Sequence, residues 1–267
     1  MSYLICPKCK EKLFVDGNTY KCANKHSYDI SKRGYVNLLL ANQMNSLNPG
    51  DNKEMMEARR SFLEKGYYAP LKDALTEIAR RVKSELIIDM GCGEGYYTNA
   101  IANVTKSQVI GIDISKPMIN EASKEMKNHN NLSYVIASIN NLPIEDNSAD
   151  IIFNCFAPID INEAKRVLKD DGILVKVTPA DYHLYELKKL LYDEPYLNPE
   201  DDDIKDLKVV NRETIDYKME IESNEDLMNL FKMTPYYHKT SSEAKNKLCG
   251  IDRCVVTSRF RCTTYKK

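Results

Sequence analysis

Glu85-Leu-Ile-Ile-Asp-Met-Gly-Cys-Gly-Glu-Gly-Tyr-Tyr-Thr98 decides the fold class of this chain. An apolar run ending in Asp89 leads into a glycine-rich segment at 91–95, after which the sequence can enter a helix. Glycines are needed where backbone passes close to a ligand with no Cβ in the way. A strand, a glycine-rich turn and a helix in this order open a nucleotide-binding α/β domain. The GxGxG spacing, rather than GxGxxG, argues against a dehydrogenase, and a tight turn without a ligand is the remaining alternative.

Three downstream segments strengthen the nucleotide-binding interpretation. Val109-Ile-Gly-Ile-Asp113 is an apolar run ending in an acid, far enough beyond Gly95 for one helix and a second parallel strand. An acid at that place can accept hydrogen bonds from both ribose hydroxyls. Residues 133–138 predict a third strand, followed by a polar loop with Asn140 and Asn141 near an adenine. The remaining features are a strand at 150–155, a helix at about 161–169 and the segment Leu168-Lys-Asp-Asp-Gly-Ile-Leu-Val175.

This order of segments resembles the S-adenosylmethionine (SAM) methyltransferases of the Rossmann-like α/β class over roughly residues 85–180. The resemblance implies that Gly91, Gly93 and Gly95 form the loop on the methionine side of the cofactor. It also implies that Asp113 binds the cofactor ribose and that 168–172 is the turn before a fifth strand.

The amino terminus carries a second signal, Cys6-Pro-Lys-Cys9 followed by Cys22 and His26, in the pattern C-x2-C-x12-C-x3-H. Zinc prefers four tetrahedral sulfur and nitrogen ligands, and a C-x2-C knuckle presents two thiolates on one turn. A disulfide would leave His26 idle, and redox chemistry of a C-x-x-C pair remains an alternative without a thioredoxin-like context. We expect a closed structural zinc site that supplies most of the folding free energy of this short segment.

The metal segment is basic, whereas the chain as a whole is not. Residues 1–35 hold seven basic and three acidic side chains, a net charge of +4, and the whole chain carries −1. A basic module on an acidic enzyme domain predicts contact with RNA phosphates. Its tyrosines could stack on bases or, alternatively, fill a small core: Tyr20, Tyr28 and Tyr35.

Length and composition predict a folded protein with one large α/β domain and a small appendage. The chain has 267 residues and 43% hydrophobic content. No apolar run approaches the ~20 residues of a membrane span, and the first residues lack the apolar region of a signal peptide. We therefore expect no membrane partner and a reducing, cytoplasmic location.

The connector between the two signals predicts a pair of helices. Asp51 resembles a helix cap, the first helix would end near Lys65 before Gly66, and the second would occupy about 68–83. The expected domains are therefore a zinc-binding RNA-recognition module at 1–35, a connector with cofactor-covering helices at 36–84, and a SAM-dependent methyltransferase domain at 85–267.

With the connector placed, the chain resembles one family, the bacterial 23S ribosomal RNA guanine-N1 methyltransferases of the RlmA type. The match rests on Cys-Pro-x-Cys9, Gly34-Tyr-Val-Asn-Leu-Leu39, Met55-Met56-x-Ala-Arg-Arg60, the glycine segment, Phe156-Ala-Pro158 and His183-Leu-x-Glu-Leu187. The resemblance implies zinc at Cys6, Cys9, Cys22 and His26, and SAM contacts from Tyr68, Gly93, Glu94 and His183. It implies a guanine target in a hairpin loop of large-subunit RNA, an effect on macrolide sensitivity in some members, and a homodimer.

The sequence assigns no general base, although guanine N1 must lose a proton. Asp160 and Asp181 are candidates, but a loop-cap role is the simpler interpretation of both, and Phe156 could stack on the target base. Two other functions stay open: a SAM-dependent methyltransferase of a small molecule, and a non-catalytic RNA-binding factor that holds SAM and zinc.

Overall fold

The computed structural model describes residues 3–43, 53–200 and 203–267. The amino-terminal part forms a small antiparallel sheet of β1 (Phe14–Asp16), β2 (Thr19–Lys21) and β3 (Ser27–Asp29). Phe14 lies opposite Lys21 and Tyr20 opposite Tyr28. The turn with Cys6 and Cys9 precedes β1, and the turn with Cys22 and His26 joins β2 to β3. The small sheet therefore positions the four predicted metal ligands.

A second, larger sheet forms the body of the molecule, with the described strands in the order β10-β11-β9-β8-β5-β6-β7-β4. Strands β4 to β9 run parallel, and β11 pairs antiparallel with both β9 and β10. The strands are β4 (Val36–Asn37), β5 (Leu86–Met90), β6 (Gln108–Asp113), β7 (Leu132–Ile136), β8 (Ala149–Cys155), β9 (Leu168–Pro179), β10 (Lys208–Ile221) and β11 (Cys254–Lys266).

Helices cover both faces of this sheet, as parallel strands require. The α-helices of the described residues are α1 (Lys53–Glu64), α2 (Ala69–Arg81), α3 (Tyr96–Val104), α4 (Lys116–Ala122), α5 (Ile161–Val167), α6 (Tyr185–Leu191), α7 (Asn224–Lys232), α8 (Tyr236–Lys239) and α9 (Ser242–Asn246). Alternate residues of β5 enter two different cores: Ile87 belongs to the core that includes residues of α2, α3 and α6, and Ile88 to the core that includes residues of α5 and the metal segment. None of the helices within these described ranges is long and apolar enough to cross a membrane.

The strands and the two connector helices predicted from the sequence are confirmed, with one local difference. The predicted turn at 168–172 is part of β9, where the pairing with β8 jumps from Ala149–Leu168 to Ile151–Ile173. The extra residues of β9 form a bulge, in which Gly172 lies close to the Leu168 side chain and the Ala149 carbonyl. The predicted cap Asp51 lies outside the described residues.

The metal segment docks beside the large sheet, on the loop between β7 and β8, through backbone bonds. Leu4 forms an antiparallel bridge with Ile144, and the Ile5 amide donates to the Pro143 carbonyl at 3.0 Å. An ion pair joins Lys12 to Glu145 at 2.8 Å. The connector takes part as well, because β4 extends the large sheet beside β7. The expected domain boundaries stay a prediction, but these parts of the chain share one packed core.

A candidate cofactor site and metal centre

The glycine turn joins the carboxyl end of β5 to the start of α3. Gly91 and Gly95 both adopt φ of 84°, a left-handed conformation that favours glycine. Space demands glycine there too, since a Cβ on Gly91 would overlap the Ala157 side chain and one on Gly95 would overlap the Tyr134 hydroxyl. The turn is therefore fixed by its neighbours and presents bare backbone at the carboxyl edge of the sheet, where α/β folds bind ligands.

Asp113, at the end of β6, faces this turn as predicted. Its Oδ2 accepts a hydrogen bond from the Gly93 amide at 2.9 Å, and its Oδ1 accepts one from the Ser115 amide at 2.8 Å. The carboxylate is held in one orientation beside the glycines. This is the position from which an acid can accept hydrogen bonds from ribose hydroxyls.

Asp89 also belongs to the site, although the sequence alone assigns it no role. It is 2% exposed at the end of β5, Thr98 Oγ1 donates to its Oδ2 at 2.5 Å, and its Oδ1 has no hydrogen-bond partner within the described residues. Burial raises the pKa of Asp89 to about 7, with smaller contributions from Asp113 and Glu94. A buried, half-satisfied acid beside the turn suits a positively charged ligand such as SAM.

Tyr68 and His183 meet above the sheet edge, although 115 residues separate them in sequence. Tyr68 Oη lies 3.4 Å from His183 Nε2, and the Arg259 amide donates to His183 Nδ1 at 3.2 Å. Burial, with a smaller effect of Lys188, lowers the pKa of His183 to about 3. The ring is therefore neutral, and with Nδ1 accepting, its proton is on Nε2 facing Tyr68.

Phe156 follows β8 directly and stands out in its backbone and its exposure. Its φ is 57° and its side chain is 43% exposed, unusual for a large apolar residue. Its ring packs 5.4 Å from that of Phe260, which also contacts Tyr68 and His183. One aromatic cluster thus joins the expected cofactor-contacting residues to an exposed ring.

The structure brings Gly91, Gly93, Gly95 and Asp113 together, and places Glu94 beside them with 8% of its side chain exposed. Tyr68 and His183 form the neighbouring aromatic cluster. The contact of each residue with SAM stays a prediction. The expected adenine loop is a short 3-10 helix, Ile139–Asn141, and Asn141 accepts a hydrogen bond from Lys10 of the metal segment.

The four predicted metal ligands converge at one point. The ligand atoms of Cys6, Cys9, Cys22 and His26 all lie within 4.8 Å of one another. Cys9 and Cys22 sulfurs are 3.7 Å apart, and His26 Nδ1 lies 3.4 Å from the sulfurs of Cys6 and Cys22. Tetrahedral zinc has bonds of about 2.3 Å to sulfur and 2.0–2.1 Å to nitrogen. This geometry requires about 3.8 Å between two ligand sulfurs and about 3.6 Å between a ligand sulfur and a ligand nitrogen. The set fits a zinc ion.

Electrostatics favour a thiolate in this cluster. A hydrogen bond from the Asn24 side chain and one from the Glu11 backbone lower the pKa of Cys9 to about 6. Burial acts oppositely on Cys22, whose pKa is raised. Tyr28 Oη lies 3.1 Å from Cys6 Sγ, a second contact that orients a ligand.

Of the two alternatives for the tyrosines of this segment, Tyr35 follows core filling, since it is 8% exposed and belongs to the main core. Tyr20 and Tyr28 are half-buried and pack on the second core. The exposed aromatic is Phe14, on edge strand β1. Three of the seven basic side chains are exposed and form no ion pair or hydrogen bond within the described residues: Lys8, Lys25 and Lys32.

Comparisons with known proteins agree with both halves of the site. Residues 87–172 match the family described as "Methyltransferase domain", and residues 4–47 match "RlmA, N-terminal", a zinc ribbon. The "23S rRNA (guanine(748)-N(1))-methyltransferase" of Streptomyces fradiae is 33% identical over 191 residues, 69% of this chain and 66% of that protein.

Two further relatives carry related names. The "Putative 23S rRNA (guanine-N(1)-)-methyltransferase YxjB" of Bacillus subtilis is 34% identical over 200 residues, 71% of this chain and 68% of that protein. The "Putative 23S rRNA (guanine-N(1)-)-methyltransferase" of Micromonospora griseorubida is 32% identical over 208 residues, 70% of this chain and 69% of that protein. The alignments span about two thirds of the length of these relatives. With its zinc-ribbon cluster and Rossmann-like SAM methyltransferase domain, the chain belongs to the 23S rRNA (guanine-N1) methyltransferase family.

Proposed function

We propose that this protein transfers a methyl group from SAM to N1 of a guanine in a hairpin loop of 23S ribosomal RNA. The observation that carries the proposal is the contact between the glycine turn and the segment 156–158. A Cβ on Gly91 would overlap Ala157, so the residue next to the exposed Phe156 packs on the turn, and the Phe156 ring would stand beside the place where the cofactor methyl is presented. The names of the relatives supply the target nucleotide.

The cofactor side of the site is built from groups that bind rather than react. Asp113 would hold the ribose, Gly91, Gly93 and Gly95 would admit the methionine part, and Glu94 would contact it. Tyr68 and the neutral His183 would close the site from above, where their buried rings exclude water. When bound, SAM supplies a methyl group already activated by its sulfonium. The task left to the protein is orientation and electrostatics.

The substrate side must take a guanine out of its stack. Phe156 would receive the flipped base on its exposed face, since base–aromatic stacking contributes about 1–3 kcal/mol. Its positive φ fits a strained residue retained for function. Neither predicted base candidate is free for catalysis: Asp160 caps α5 by accepting from the Glu163 amide at 3.0 Å, and Asp181 pairs with Arg259 at 3.2 Å. We assign no general base.

The metal centre would hold the RNA-facing module in shape. A zinc ion at Cys6, Cys9, Cys22 and His26 has all four positions filled by protein, so its role is structural. Lys8, Lys25 and Lys32 would then meet phosphates, because Lys12 and Lys21 are paired with Glu145 and Asp16. A homodimer, in which two such modules would face one RNA, stays a prediction of the resemblance.

Labelled-methyl transfer from SAM tests the proposal. Zinc-loaded protein should label large-subunit RNA that lacks the modification, and an Asp113→Ala variant should not, although it keeps the same zinc ribbon. Labelling of a small-molecule fraction instead of RNA would favour the small-molecule methyltransferase. Binding of SAM and RNA without any transfer would favour the non-catalytic factor.

A further inference from the structure

Arg59 of α1 lies directly over the glycine turn. Its Nη1 is the atom nearest to where a Cβ on Gly93 would stand, at 3.5 Å. The same Nη1 is 3.7 Å from Glu94 Oε2, with 25% of the arginine side chain exposed. The guanidinium is thus close to the turn backbone, yet farther from Glu94 than a hydrogen bond allows.

The helix that carries Arg59 is anchored at both ends. Near its start, Glu54 pairs with Lys232 at 3.0 Å. Just beyond its end, Lys65 pairs with the buried Asp226 at 2.5 Å. Both partners belong to α7, against which α1 packs. Arg59 lies between these anchors, so its Cα is fixed relative to the turn.

The charges around the turn favour some groups of SAM and disfavour its carboxylate. The turn is flanked by the acids Asp89, Glu94 and Asp113. These suit the sulfonium, the ammonium and the ribose hydroxyls, but they repel the methionyl carboxylate. A cation beside the turn would offset this repulsion, and the first turn of α3, which has no side-chain cap, adds the positive end of a helix dipole.

We propose that Arg59 binds the methionyl carboxylate of SAM. The guanidinium exchanges its loose pairing with Glu94 for charge-assisted hydrogen bonds to the cofactor carboxylate, a geometry that arginine satisfies bidentately. This inference rests on the proposed function only in taking SAM as the cofactor. It adds a cofactor-binding residue from the connector, outside the methyltransferase domain expected from the sequence.

The adjacent Arg60 provides a matched control. It points to other partners, Glu64 at 2.7 Å and Glu121, so it is an arginine of the same helix with its charge engaged elsewhere. If Arg59 served only as an ion pair between α1 and the turn, its loss would affect the ligand no more selectively than loss of Arg60.

The test compares SAM with decarboxylated SAM, which lacks only the carboxylate, by calorimetric titration of full-length, zinc-loaded protein without RNA. Arg59→Met should weaken SAM binding roughly 10- to 100-fold and leave binding of decarboxylated SAM within about twofold. Arg59→Lys should recover part of the loss, because lysine keeps the charge without the fork. Arg60→Met should change neither ligand.

Equal weakening of both ligands by Arg59→Met, or no weakening of either, overturns the assignment. If Arg59→Met does not fold, Arg59→Lys must still lower the ratio of the affinity for SAM to the affinity for decarboxylated SAM. An unchanged ratio in Arg59→Lys also overturns the assignment. A protein that shows the predicted selectivity but methylates no RNA contradicts the proposed function alone. Wild-type protein that binds neither ligand contradicts both.

Discussion

Replacing Asp89 by Asn should stabilise the protein in a pH-dependent way. Asp89 is buried near the end of β5, accepts a hydrogen bond from Thr98 and has two further acids nearby. Without a cation in the site, its ionised form is poorly solvated. Asn has nearly the same shape, can accept from Thr98 and carries no charge at any pH.

The size of the effect follows from the two pKa values. The pKa of Asp89 is raised from its ordinary 3.8 to about 7 by folding. Since the folded state keeps a proton that the unfolded state releases above about pH 4, the free energy of unfolding falls as pH rises between these values. The total loss is about 4 kcal/mol, of which about 2 kcal/mol occurs between about pH 5 and pH 7. Asp89→Asn avoids this loss.

Urea unfolding of zinc-loaded, SAM-free protein across this pH range measures the difference. The stability advantage of Asp89→Asn over wild type should grow by about 2 kcal/mol from pH 5 to pH 7. Asp226→Asn is a control of opposite sign, since Lys65 and Ser223 outweigh burial and lower the pKa of Asp226, so its contribution is lost only in acid. A constant difference between Asp89→Asn and wild type would refute the electrostatic account of the site.

Three other predictions follow from the same structure. Metal removal, or Cys9→Ser, should loosen the segment 139–145 and weaken SAM binding, because Leu4 and Ile5, next to Cys6, form backbone bonds with this segment. Equal hydrogen-exchange rates at 139–145 with and without metal would contradict this. Phe156→Leu should lower kcat/KM for RNA by roughly 10-fold or more with SAM affinity unchanged, and Phe156→Tyr should retain activity; an equal loss in both variants would exclude stacking. Asp113→Asn should weaken SAM binding by roughly 10-fold or more, and unaltered affinity in a titration would remove Asp113 from the ribose site.

The fold, the glycine turn with Asp113 and the metal cluster could be predicted because their sequence signals are local. The apolar runs that end in Asp89 and Asp113, and the glycines between them, specify a strand, a turn and the next strand within about thirty residues. Metal-ligand spacing is equally local. The periodicity and chemistry of neighbouring residues are enough to predict these features.

The remaining features depend on contacts between distant segments. Nothing near Arg59 in sequence shows that its side chain lies over Gly93, and nothing near Phe156 predicts a positive φ. Tyr35 lies among charged residues in the sequence, yet its side chain belongs to the core, and the next residue, Val36, pairs with β7 in the large sheet. The basic count of the metal segment likewise overstates its free charge, because Lys12 pairs with Glu145, which lies outside this segment.

The measurement that most directly tests the central claim is the chemical identity of the methylated nucleoside. Large-subunit RNA methylated by the zinc-loaded protein should be digested and analysed by mass spectrometry, with primer extension to locate the product. We predict 1-methylguanosine at a single guanine of one hairpin loop, with a primer-extension stop there, because N1 methylation blocks base pairing. Methylation of another guanine atom, of another base, or of many sites would contradict the account.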